Sequence, residues 1–148
     1  MYEALFRQFG QSGRTYIVRE SPARLSDIML SSVERDRLKV FRFAPPRATH
    51  QAKAFGSVLV RLLTDKEYVV LFADSKSCPS AWKSFHQQYP DAKVLIELSQ
   101  VGVDRSGSEA VVLMHVGSAC FGGTWDLLFF RRAGPIWEFK EAVNVGRS

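Results

Sequence analysis

The sequence predicts an α+β fold in which an antiparallel meander fills the C-terminal half and helices cover one face of the sheet. Three observations predict it. Apolar runs at Val94–Val103, Ala110–Val116, Trp125–Phe130 and Ile136–Val145 are rich in β-branched and aromatic residues. Turn signals separate them: Asp104-Arg105-Ser106-Gly107-Ser108, then Gly122-Gly123, then Arg131-Arg132-Ala133-Gly134-Pro135. Ahead of the meander, helical and strand patterns are mixed, an order typical of helices packed on an antiparallel sheet.

The N-terminal elements follow from local pattern. Tyr2, Leu5, Phe6 and Phe9 recur at helical spacing, and Gly10 and Gly13 end that helix. Arg14–Glu20 reads as a strand. Ser21-Pro22 starts a helical turn whose apolar face is Leu25, Ile28 and Met29. Arg37–Phe43 alternates and reads as a strand ended by Ala44-Pro45-Pro46. Thr49 caps a helix with Ala52, Phe55, Val58, Leu59, Leu62 and Leu63 on one stripe, interrupted by Gly56. Glu67–Ala73 reads as a buried strand. Ser75–Ser80 is a loop, and Ser80 caps the helix Ala81–Gln88, which Pro90 terminates.

With 148 residues, 46% hydrophobic and 24% charged, the chain has the size and balance of one globular domain spanning 1–148. No apolar run approaches the ~18 residues that would span a bilayer, so no membrane partner is expected. Met1–Arg7 lacks a basic head followed by an apolar core, and a cytoplasmic location is the expectation. The net charge is +5, and Arg35, Arg37, Lys39, Arg42 and Arg47 fall close together. A weak nucleic-acid binder working through Arg35–Arg47 is one reading. Glu34 and Asp36 interrupt the segment, so a solvated surface is the simpler one, and nucleic acid is not the expected partner.

Cys78 and Cys120 permit one disulfide at most. Neither belongs to a CxxC pair, and without a leader two free thiols are expected. His50, His86 and His115 lack metal-ligand spacing, so neither metal nor cofactor is expected. Gly117, Gly122 and Gly123 are not a phosphate loop, since no Lys-Ser/Thr follows. They suit a turn in which Gly122 and Gly123 take positive φ.

The candidate binding residues are His115, Cys120 and Trp125. Strand alternation places Val112, Met114 and Val116 on one face and Val111, Leu113 and His115 on the other. Cys120 sits in the turn after His115, as a reduced thiol at the rim of any pocket, with Asp126 a candidate to orient the imidazole. Catalysis by so isolated a Cys/His pair is a weak reading against an inert core cysteine. Trp125, Phe129, Phe130 and Trp137 line a sheet face or fill ordinary core. Glu97, Glu109, Glu138 and Glu141 are carboxylates in or beside strands.

Trp82-Lys83-Ser84-Phe85, Tyr89-Pro90-Asp91-Ala92, Leu98-Ser99-Gln100-Val101-Gly102-Val103, the paired strands after Ser108 and the Trp137 strand after Gly134 occur in fixed order. In these the C-terminal half resembles a family of uncharacterised bacterial proteins, whose members carry a Cys/Gly-rich turn at the position of Ser118–Gly123. This chain has a single cysteine in that turn. The resemblance implies no activity. In fold alone, the order of a helix followed by a meander is similar to cystatin-like and nuclear-transport-factor-2-like rolls, which host both enzymes and binding modules.

The functional expectation is a small non-enzymatic module that binds a protein partner or a small ligand on a curved antiparallel sheet, with a homodimer an admissible assembly. The alternative is a small pocket enzyme of the roll type, isomerase- or hydrolase-like, with His115 or a carboxylate as base.

Overall fold

The computed structural model describes residues 2–9, 15–20, 30–43, 53–55 and 58–147. The elements in chain order are α1 (Tyr2–Phe9), β1 (Thr15–Glu20), α2 (Ser32–Leu38), β2 (Phe41–Phe43), β3 (Lys53–Phe55), β4 (Val58–Leu62) and α3 (Asp65–Tyr68). Then come α4 (Cys78–Gln88), β5 (Leu95–Leu98), β6 (Gly102–Asp104), β7 (Glu109–Ala119), β8 (Gly122–Ala133) and β9 (Ile136–Arg147). The protein is α+β, and β7, β8 and β9 form the expected antiparallel meander.

The nine strands among the described residues form one sheet. Reading across it, β3, β4, β1, β5, β7, β8 and β9 are successive neighbours. β6 lies beside the first part of β7, and β2 lies beyond β6. β1 pairs in parallel with both β4 and β5, while the other pairings are antiparallel. The sheet curls strongly enough that α1 touches both β3 and β9. Leu5 and Phe6 of α1 fill the concave face, packed with Val18, Val60, Ile96, Leu98, Val112, Leu128 and Phe130.

Helices cover the convex face as well, on two separate apolar patches. Near one end of β1 and β5, Ile17 and Leu95 pack under Leu71, Phe85 and Tyr89. Further along β7 and β8, Val111, Leu113, Leu127 and Phe129 pack under Leu38 and Phe41. Helix cover is thus divided between the two faces.

Several local expectations change. The run Val94–Val103 is two strands, because the chain leaves the ladder at Ser99–Val101. Ser99 mends the gap. Its N–H donates to Leu113 O at 2.9 Å, and its hydroxyl accepts from Leu113 N–H at 2.9 Å. Of the expected strand Arg37–Phe43, Phe41–Phe43 is strand, whereas Arg37 and Leu38 end a helix that Ser31 and Glu34 start with a reciprocal capping box. Val58–Leu62 is a strand, not a helix. Val58 and Val60 are buried and Leu59 is 52% exposed, which is a period of two.

Residues 65–73 are helical, not a strand. Thr64 and Glu67 form a second capping box, and α3 runs on into a wider π-type turn at Val69–Ala73. Ser77, not Ser80, caps α4, with Pro79 in its first turn. Positive φ belongs to Gly107 and Gly134, not to Gly122 and Gly123. The β7–β8 connection is a two-residue turn, Cys120-Phe121, with Ala119 opposite Gly122 and a bulge at Ser118. The expected helical turn after Ser21-Pro22 and the break at Ala44-Pro45-Pro46 lie outside the described residues.

Candidate functional site

The strand registers align one residue from each of four neighbouring strands across the convex face. Arg19 of β1 lies opposite Glu97 of β5, Glu97 opposite His115 of β7, and His115 opposite Trp125 of β8. One step along the strands on one side are Ile17, Leu95 and Gly117, under α3 and α4. One step on the other side are Leu113 and Leu127, under α2. The row is therefore a polar seam between two helix-covered apolar patches.

The side chains in the seam are joined end to end. Glu97 accepts from Arg19 Nη1 at 3.2 Å through Oε1. Its Oε2 is 2.9 Å from His115 Nδ1, which donates to it. The imidazole stacks on Trp125, with ring centroids 4.2 Å apart and planes 16° from parallel. Arg19 also donates from Nε and Nη2 to Asp65 Oδ1, at 3.3 and 3.2 Å, and its guanidinium lies 3.4 Å over the Tyr68 ring. The Arg19, Glu97 and His115 side chains are only 13%, 13% and 15% exposed. Ionisable groups held that far out of water keep their place only when they are paired, as these are.

The surroundings are aromatic. A Cβ built on Gly117 would lie 3.4 Å from His115 Cε1 and 3.4 Å from Trp82 Cζ2, so α4 places Trp82 above Gly117, beside the imidazole. Burial raises the Tyr68 hydroxyl above its ordinary pKa, and the charge of Glu97 adds to this while Arg19 opposes it.

Two of the three sequence-predicted residues, His115 and Trp125, meet here. The third does not remain available. Cys120 is bonded to Cys78, with Cα atoms 5.6 Å apart, so the expected pair of free thiols is a disulfide. Bonded sulfur carries no thiolate, and the rim-thiol reading of Cys120 fails with it. Asp126 does not orient His115. It alternates to the opposite face, 3.1 Å from Thr124 Oγ1 and 2.9 Å from Asn144 Nδ2.

Of the four carboxylates weighed, Glu97 is the one that meets the histidine. Glu109, Glu138 and Glu141 pair with Lys140, Arg131 and Arg37. His86 has Nδ1 3.3 Å from Ala92 O and its ring centroid 5.8 Å from that of Trp82, and His50 is outside the described residues. Among the described residues, no group of three or more His, Cys, Asp and Glu side chains could hold a metal ion.

Arg19, Tyr68 and Trp82 were not among the sequence-predicted site residues. Arg19 carried a legible signal, a charge inside a β-branched run at the parity of buried Ile17. Tyr68 and Trp82 carried none, because their position depends on how the helices dock. Two of the five basic residues of the segment are paired, and Arg47 lies outside the described residues. Arg37 pairs with Glu141 and lies 3.7 Å over the Phe129 ring, and Lys39 is 2.6 Å from Asp36. No described helix is long and apolar enough to cross a membrane. Comparison with family models, with curated proteins and with solved structures gives no match.

Proposed function

We propose that the chain is a small binding module whose recognition surface is the convex-face seam, centred on His115 and Trp125. The observation that carries this is the Glu97–His115 hydrogen bond, mostly withdrawn from water and stacked on Trp125. A seam of this kind suits a small ligand, or a partner side chain, that offers a flat apolar surface to the aromatic rings and a hydrogen-bonding group to the Glu97–His115 end. Cys120, a further candidate at the sequence level, contributes through its bond to Cys78 and not as a thiol.

A fragment screen by NMR tests the proposal. Planar fragments bearing one polar group are expected to shift the His115 and Trp125 side-chain resonances, and Trp125→Ala should abolish those shifts. Hits that move only other surfaces would overturn it.

A second reading, a small enzyme of the roll type, draws on the same Glu97–His115 contact, because a carboxylate that orients an imidazole is a common way to position a base. Chemical conversion of a bound fragment in the same spectra, lost in His115→Gln, would favour it. Weak nucleic-acid binding through Arg35–Arg47 is the least supported reading, since Arg37 and Lys39 already have acidic partners. The expectation of free thiols followed from the cytoplasmic one. The disulfide favours a compartment in which thiols are kept oxidised.

A further inference from the structure

We propose that the Cys78–Cys120 disulfide is a redox latch that holds the N-terminal half of α4, and with it Trp82, against the seam. Three observations converge. The bond joins the first residue of α4 to the tip of the β7–β8 hairpin, 42 residues on. Neither cysteine belongs to any of the three buried clusters, and the residues flanking them are exposed: Ser77, Pro79 and Ser80 on α4, Ala119, Phe121 and Gly122 on the hairpin. The two ends of α4 are held differently. Phe85 and the adjoining Tyr89 sit in a buried cluster at 0% and 5% exposure; nearer the bond, Ala81 is 2% exposed and Trp82 is partly buried, packed against that cluster and above Gly117. Opening the bond removes no member of the three buried clusters and leaves the N-terminal turns of α4 held to β7 by the packing of Ala81 and Trp82 alone.

The chemistry is thiol–disulfide exchange with a dithiol. A thiolate of the dithiol attacks Cys120 Sγ, the bond between the sulfurs breaks, and Cys78 leaves as a thiolate favoured by the N–H groups at the start of α4. The second thiol of the dithiol attacks the mixed disulfide, releases Cys120 and closes on itself. The dithiol is oxidised and the cysteine pair is reduced by two electrons. The dithiol's protons pass to Cys120 and to Cys78 or solvent. The latch concerns access to the seam, and its test does not depend on what the seam binds.

The test uses dithiothreitol and the fluorescence of Trp82 alone, in a Trp125→Phe/Trp137→Phe background. On reduction of the folded protein, with two thiols counted and far-UV circular dichroism unchanged, the acrylamide quenching constant of Trp82 is expected to rise at least twofold and to fall back on reoxidation. An unchanged constant with two free thiols would overturn the latch. So would loss of the far-UV spectrum on reduction, or a bond that yields only after denaturation, because either makes the bond a staple of the fold. If the double variant does not fold, hydrogen exchange of the unsubstituted protein decides. Faster exchange over residues 78–84 in the reduced form supports the latch, and equal exchange in both forms overturns it.

Discussion

Ser99 and Asp104 each do with a side chain what the backbone cannot do at their positions. Ser99 is 4% exposed, and its hydroxyl accepts from Leu113 N–H where the β5–β7 ladder is interrupted. Ser99→Ala should leave that amide unpaired and cost about 1–3 kcal/mol. Denaturant titration checks the loss, and faster exchange of the Leu113 amide should accompany it. Asp104 ties the β6–β7 turn through its carboxylate, which accepts from Glu109 N–H at 3.0 Å, from the Ser106 hydroxyl and from Ser108 N–H at 2.8 Å. These bonds, that from Glu109 first, hold its pKa at about 2, below the ordinary 3.8. A carboxyl depressed on folding stabilises fully above its unfolded pKa. The contribution fades as pH falls from about 4 towards about 2. Amide exchange across Ser106–Glu109 should quicken over that interval, and Asp104→Asn should remove the pH dependence. The parity that puts His115 opposite Met114 in facing was legible in the sequence. Glu97 as its partner was not, because the β5–β7 register depends on where Ser99 interrupts the run.

Among the elements, the long hairpins were the readable part and the short helices were not. Strands of eleven and twelve residues repeat their alternation often enough to declare themselves. Helices α2 and α3 are seven and four residues long, too short for periodicity, yet both announce their starts. Ser31-Ser32-Val33-Glu34 and Thr64-Asp65-Lys66-Glu67 are capping-box sequences, and the second outweighs Val69 and Val70 that follow it. Gly102 shows another constraint on short elements. In β6 it faces β2, and a Cβ there would meet Phe43 ring carbons at 2.8 Å and Phe41 Cβ at 3.1 Å. Gly102→Ala should cost about 1–3 kcal/mol by displacing the Phe43 ring and crowding Phe41. Thermal unfolding measures the loss, and Phe43→Ala in the same chain should recover part of it by making room.

At the scale of the whole molecule, the disulfide and α1 act on different parts of the stability. In the chain-entropy picture a bridge closing 42 residues contributes about 4 kcal/mol by restricting the unfolded chain. Cys78→Ser/Cys120→Ser should lower the unfolding free energy by up to that amount while leaving the denaturant slope of a folded, cooperative domain. A non-cooperative transition would show that the bridge holds the core as well. The pairing itself was not legible. Forty-two residues of sequence say nothing about distance, and the link became visible only once α4 docked beside the β7–β8 turn.

The position of α1 also governs how fast the native state can be reached. Leu5 and Phe6 pack with Leu128 and Phe130, and α1 touches β9, so the central cluster joins residues more than a hundred positions apart. Hairpins β7–β8 and β8–β9 close within microseconds, because their partners are local. The parallel ladders of β1 and the seating of α1 require long loops to close first, which slows folding to milliseconds or seconds. Refolding followed by pulsed hydrogen exchange should therefore protect amides of residues 109–133 well before those of residues 15–20. Simultaneous protection of the two segments would mean that the curl and its enclosed helix assemble in one step.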